Sequence, residues 1–168
     1  MQNYIFDRLM EAGAEFGIKP FGIRAMVSMS LEKSYRNMGR ELSVEYNAYE
    51  SGLDRFLRPE KSFIGRDALV AYKEAGLKSV FSTLTVSGNT DVDARGSEAI
   101  FDENGALTGR ATSGGFGWRL GKSIALAMLK PAYAAVGTKL KIRILGTSYD
   151  AEVVEESPFD TDNALLRA

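Results

Sequence analysis

Hydrophobic positions recur along this chain with two different spacings, and the spacing changes near Gly76. Ahead of it, Ile5, Leu9, Ala12 and Phe16 recur at helical intervals. They predict a helix over about Asn3 to Phe16, closed by Gly17 in a left-handed conformation. A connector containing Pro20 leads into a second, shorter helix from about Gly22, with Ile23, Met26, Val27 and Leu31 on one face. Tyr35 to Tyr49 keeps no clear period and reads as loop with a strand within it. Gly52 to Leu57 reads as a short strand. Ser62 offers an N-cap for a third helix over Phe63 to Ala75, with Asp67 in its first turn and Gly76 past its end. Ile64, Ala68, Ala71 and Ala75 form its apolar stripe.

Beyond Gly76 the pattern is that of strands. Val80 to Val86 is β-branched and alternating. Glu98 to Asp102 and Ala106 to Ala111 flank Glu103-Asn-Gly105, a hairpin signal because Asn and Gly tolerate positive φ. Ser123 to Leu129 is an apolar run ending at Pro131. Lys139 to Ile144 alternates strictly, and Gly146-Thr-Ser148 turns into Tyr149 to Val154. Short antiparallel strands at this spacing predict a small barrel or sandwich. The tail from Pro158 reads as polar and extended. The expected fold class is α+β, divided into residues 1–76 and a β domain over residues 77–168.

Composition narrows the chemistry. The chain has 168 residues, with 21 basic against 22 acidic side chains, a balance that argues against nucleic acid as the main partner. A basic row at Lys139, Lys141 and Arg143 is offset by Glu152, Glu155 and Glu156 and reads as a solvated face. No apolar run approaches the roughly 20 residues a membrane span needs. Nothing near Met1 resembles a secretory signal, so a cytoplasmic location is expected. Cysteine and histidine are both absent, which excludes disulfides, thiolate nucleophiles, imidazole bases and Cys- or His-ligated metals. Chemistry is left to carboxylates, Lys, Tyr, Arg, hydroxyls or a borrowed cofactor.

Two residues stand out against that background. Glu32 falls at the predicted end of the second helix. A carboxylate there can accept hydrogen bonds from the amino-pyrimidine edge of a pterin. The plainer reading is a surface pair with Lys33 or Arg36, worth about 0–1 kcal/mol, and the residues by themselves favour it. Arg66, beside the small Gly65, can approach a carboxylate bidentately, or simply pair with Asp67 or Glu60. Arg58 and Lys61 compete for the same role. Together Glu32 and Arg66 would grip a polar heterocycle from two sides. The glycine cluster Thr112-Ser-Gly-Gly-Phe-Gly-Trp-Arg-Leu-Gly-Lys122 lacks the spacing of a phosphate-binding loop. Its glycines read as tight-turn residues, with Phe116 and Trp118 packing on a neighbour. Asp91 and Asp93 read as turn residues.

Several stretches share one resemblance: Ala12-Gly-Ala-Glu-Phe-Gly17 with Phe21-Gly-Ile-Arg-Ala25, Met29-Ser-Leu-Glu-Lys-Ser-Tyr35, Phe63-Ile-Gly-Arg-Asp-Ala-Leu69, Thr112-Ser-Gly-Gly-Phe-Gly117 with Gly121-Lys-Ser-Ile-Ala-Leu-Ala127, and the terminal stretch from Ser157 to Ala168. In order along the chain, they resemble the C-terminal half of the glycine-cleavage T-protein (aminomethyltransferase) family. The likeness is nearest to the folate-binding portion of dimethylglycine and sarcosine dehydrogenases. It implies the second half of a discontinuous α/β folate-binding domain followed by an antiparallel β-barrel. The implied cofactor is tetrahydrofolate, with the pterin held by Glu32 and the folate tail met by Arg66. The implied activity is transfer of a one-carbon unit from N-methylated amines or aminomethyl groups to folate. The resemblance also implies that the family's middle domain, an upstream Asp assisting the transfer, and any FAD-binding region lie outside this chain. The chain alone is then expected to be inactive, with an apolar face left for missing N-terminal domains or a second copy of itself. The alternative reading is a non-catalytic module that self-associates or docks to a partner.

Overall fold

A computed structural model describes residues 1–88 and 91–168. Among these the α-helices are α1 (Gln2–Gly13), α2 (Ile23–Glu32) and α3 (Arg66–Glu74). The strands are β1 (Val80–Val86), β2 (Ala99–Phe101), β3 (Leu107–Gly117), β4 (Lys122–Leu129), β5 (Lys139–Ile144) and β6 (Thr147–Val154). All strand pairs are antiparallel, and they close into a barrel in the order β1-β4-β3-β2-β5-β6. The β1–β6 pairing, Thr83 opposite Val154 to Val86 opposite Ala151, completes the ring and leaves no open edge.

Strand composition follows from what covers each face. In β5, Leu140, Ile142 and Ile144 are buried in the barrel while Lys139, Lys141 and Arg143 meet solvent. In β4, Ala125, Ala127 and Leu129 point into the barrel with Leu84, Ile100 and Val153. The alternate β4 residues Ile124, Leu126 and Met128 form a second cluster with Leu31 and Phe81. A strand covered on both faces has no need to alternate, which is why β4 reads as an unbroken apolar run. The cover is α2. Burying a leucine such as Leu31 is worth about 1.5–3 kcal/mol, so this contact fixes the helix on the barrel wall.

The loop from Arg36 to Ser51 is pinned from beneath. Glu41 is fully buried and accepts hydrogen bonds from the hydroxyls of Thr112 (2.6 Å) and Ser113 (2.7 Å) and from the Asn37 backbone N–H (2.9 Å). Thr112 occupies a bulge in β3 where the pairing with β4 skips a residue. Arg36 lies over the Phe81 ring, 3.9 Å from its centroid, and holds Glu156 with two hydrogen bonds of 2.5 and 2.9 Å.

Several expectations shift. The α-helical part of the first helix stops at Gly13 and a tighter turn carries it to Phe16, where Gly17 closes it at φ 67° as expected. Tyr35 to Tyr49 holds turns and a single bridge between Met38 and Leu42 in place of a strand. Gly52 to Leu57 contains a 3-10 turn, Asp54–Phe56, rather than a strand. The third helix starts at Arg66, not Phe63: Gly65 sits at φ 85° directly before it, so the chain cannot be helical across that point, and Ser62 caps nothing. Neither α1 nor α3 buries a single residue, so their apolar stripes, Ile5-Leu9-Phe16 among them, face outward. No helix among the described residues is long and apolar enough to cross a membrane.

Candidate functional site

The site is built where α2 meets the glycine-rich end of β3. Ser28 donates its hydroxyl hydrogen to the Phe116 carbonyl at 2.7 Å, and Leu31, one turn on, enters the outer cluster. Glycines allow that approach. A methyl group on Gly115 would lie 3.0 Å from Leu31 Cδ1. Gly115 and Gly117 are therefore strand residues kept small for the helix lying across them, and Gly114 is kept small by Ala94 and Ile124; none of the three is a turn residue. Only Gly121, at φ 64°, serves the turn that the sequence suggested.

This packing leaves Glu32 with 2% of its surface exposed. Its Oε1 accepts the backbone N–H groups of Arg119 (2.7 Å) and Leu120 (3.3 Å). Oε2 accepts no hydrogen bond from the described residues, yet among those residues no fully buried side-chain oxygen or nitrogen lacks a partner. Oε2 thus reaches open space. Glu32 lines a cavity of about 500 Å³ with Met26, Met29, Tyr35, Phe159, Leu165 and Leu166 among its other walls. The arrangement is a carboxylate oriented by main-chain donors, one oxygen presented to a largely apolar hollow, and suits a planar ligand with N–H donors on one edge.

The surface pairs suggested for Glu32 do not form. Lys33 instead reaches the tail, donating to the Asp160 carbonyl (2.7 Å) and Asn163 Oδ1 (2.8 Å), and Arg36 takes Glu156. The tail is not extended. Ser157, Asp160 and Asn163 all adopt positive φ and fold it back over the end of α2. The Phe159 N–H bonds the Glu32 carbonyl (3.1 Å), and Ser157 donates to the Lys33 carbonyl (2.8 Å). One wall of the cavity is therefore chain terminus. The apolar residues Phe159, Leu165 and Leu166 in an otherwise polar stretch were the available signal for it. The main-chain donors of Arg119 and Leu120 had none, because any residue but proline supplies them.

Arg66 stands elsewhere. It opens α3, donates to the Pro59 carbonyl (2.5 Å) and to Asp67 (2.6 Å), and is not among the residues lining the Glu32 cavity. The structure brings Glu32 together with the tail rather than with Arg66. Arg58 is turned to its own neighbours, the Arg55 and Leu57 carbonyls.

Comparison with known proteins fits this frame. Residues 1–61 match the GCVT N-terminal domain, and residues 80–160 match the glycine cleavage T-protein C-terminal barrel domain. The chain belongs to the glycine-cleavage T-protein family. Mouse mitochondrial dimethylglycine dehydrogenase is 36% identical over 165 residues, which is 97% of this chain and 19% of that protein. The aminomethyltransferase of Caldanaerobacter subterraneus is 31% identical over 154 residues, 91% of this chain and 40% of that enzyme. A crystal structure of aminomethyltransferase T from Bartonella henselae superposes with a TM-score of 0.73 at 22% identity, over 80% of this chain and 38% of that one, a likeness of fold. The chain thus spans less than half the length of these T-protein relatives. Glu32 lies within the part matched to the T-protein N-terminal domain, and its two main-chain donors lie within the part matched to the barrel, so the site straddles the two matches.

Proposed function

We propose that this chain contributes the pterin-holding wall of a tetrahydrofolate-dependent aminomethyltransferase-type protein. The observation that carries the reading is Glu32: nearly fully buried, tied through Oε1 to two main-chain N–H groups, and open through Oε2 to an apolar-walled cavity. An accessible carboxylate oxygen with its partner oxygen already engaged is placed to accept hydrogen bonds from a ligand. An amino-pyrimidine edge supplies the matching donors, and the methionine, phenylalanine and leucine side chains around it suit a flat ring. Tetrahydrofolate, when bound, supplies the acceptor for a one-carbon unit at the formaldehyde level. Glu32 orients the ring, and the tail residues Phe159, Leu165 and Leu166 keep water from it. Arg66, whose guanidinium is partly exposed beside Asp67, is assigned to the anionic end of the folate.

Transfer itself is assigned to residues outside this chain, so the chain alone binds without turnover. Supporting that division is the outward apolar face of α1, with Tyr4, Ile5, Phe6 and Leu9 exposed, a surface suited to cover by further T-protein domains. The same face supports the second reading, a module that associates with itself.

The test is tetrahydrofolate binding, measured by calorimetry on this chain alone and on the chain mixed with the upstream portion of a T-protein relative. Binding in the reconstituted protein, abolished by Glu32→Ala and weakened by Arg66→Ala, is the expected result. Folate affinity untouched by Glu32→Ala would refute the site. Sedimentation separates the second reading: a concentration-dependent dimer that the upstream portion does not dissociate favours self-association.

A further inference from the structure

On another side of α2 lies a second cavity, of about 510 Å³, which the folate reading does not use. Arg24, Arg40 and Arg95 all line it. None of their guanidinium groups makes an ion pair or hydrogen bond with the described residues. Unpaired arginines on one hollow mark a place for an anion, since the planar fork binds carboxylate or phosphate through two parallel bonds.

The backbone beneath each arginine is fixed. Arg24 stands in the first turn of α2. Arg40 adjoins Glu41, the fully buried carboxylate held by Thr112 and Ser113. Arg95 and Gly96 are tied by their N–H groups to the two oxygens of Glu98, both at 2.8 Å. The three side chains therefore rise from anchored backbone, and a ligand has only their rotamers to order.

The cavity also has a flat apolar wall. Trp118 lines it with 78% of its surface exposed, braced edge-on by Phe116 with ring centroids 5.0 Å apart. An indole that sits outside the core while its rim is held rigid presents a stacking face. Asp91 and Asp93 also line it, and Asp93 offers an acceptor for amino hydrogens.

We propose that this cavity binds a small aromatic anion: a planar, amino-bearing ring that stacks on Trp118, with a phosphate or carboxylate arm taken by Arg24, Arg40 and Arg95. The site is separate from the Glu32 cavity and does not depend on the folate reading.

Trp118 is the chain's single tryptophan, so its fluorescence reports this cavity alone. The full chain is titrated with adenosine 5′-monophosphate and, separately, with 4-aminohippurate. A saturable change with at least one of them is expected, weakened about tenfold or more in the Arg40→Ala/Arg95→Ala variant. These side chains are exposed, so the variant folds as the parent does, which circular dichroism checks. Preference for the nucleotide identifies a phosphate arm, and preference for 4-aminohippurate a carboxylate arm. The proposal is overturned if neither compound changes the fluorescence up to millimolar concentration, if the variant binds as tightly as the parent, or if equimolar inorganic phosphate displaces the ligand completely.

Discussion

Gly117 lies against Glu32. A methyl group added to Gly117 would stand 3.1 Å from Glu32 Cγ and 3.2 Å from its Oε1, and 2.6 Å from Ile124 Cδ1. The missing side chain is what lets the carboxylate turn toward the Arg119 and Leu120 amides. Gly117→Ala is expected to destabilise the protein by about 1–3 kcal/mol through overpacking. Denaturant unfolding measures this, and an unchanged midpoint would mean that α2 yields freely.

Glu41 makes a second testable anchor. Its carboxylate satisfies two hydroxyls and an amide in a place with no exposed surface. Removing the acceptor in Glu41→Ala is expected to cost roughly 2–4 kcal/mol, because the donors left behind are buried. Glu41→Gln keeps one acceptor oxygen but turns an NH₂ toward the remaining donor, so a smaller loss is expected. Urea midpoints of the two variants, ranked the other way round, would count against this account.

The tail clamp is expected to open when Lys33 is removed. Lys33→Ala deletes the bonds to the Asp160 carbonyl and Asn163 and leaves the Asp160 carboxylate, nearly buried, without its nearby cation. Faster amide exchange across residues 157–166 is the expected signature, with the barrel strands unaffected. Protection that stays at the parent level would show that the main-chain bonds of Ser157 and Phe159 hold the tail by themselves.

Acid sensitivity has a local source in the β2–β3 hairpin. The Asp102 carboxyl is held below its ordinary value first by the Ala106 N–H, and also by the Tyr133 hydroxyl and the Asn104 and Gly105 amides. A depressed folded value means that the stabilisation is present above the unfolded value of 3.8 and fades as pH falls through the folded one. The melting-temperature gap between the parent and Asp102→Asn is therefore expected to be widest near neutral pH and to close below pH 3.8. A gap that persists in acid would sink the assignment.

Much of this architecture was legible in the residues. Strict alternation in Lys139 to Ile144 and the Glu103-Asn-Gly105 turn located β5 and the hairpin, and the continuous run in β4 carried the trace of a second covering layer. The glycines of β3 look like turn residues in sequence because glycine serves both tight turns and close approach, and only the partner tells them apart: for Gly115 and Gly117 the partner is a helix about 80 residues earlier in the chain. The third helix starts later than its sequence suggests because the left-handed Gly65 overrides the favourable cap at Ser62. At the site, Glu32 stood out on its residue context, but its burial did not, since Lys33 and Arg36 offered nearby partners that the fold spends on Asp160 and Glu156.

Main-chain anchoring has an evolutionary consequence. Positions 119 and 120 serve Glu32 only through their peptide N–H groups, so a change of side chain at either, whatever it does to the stacking of Arg119 on Phe159 or the packing of Leu120, need not turn the carboxylate. Proline alone is barred at either place. Relatives that orient the same acid identically can therefore differ at every letter of this segment, and a search for shared side chains would overlook half of what aims it.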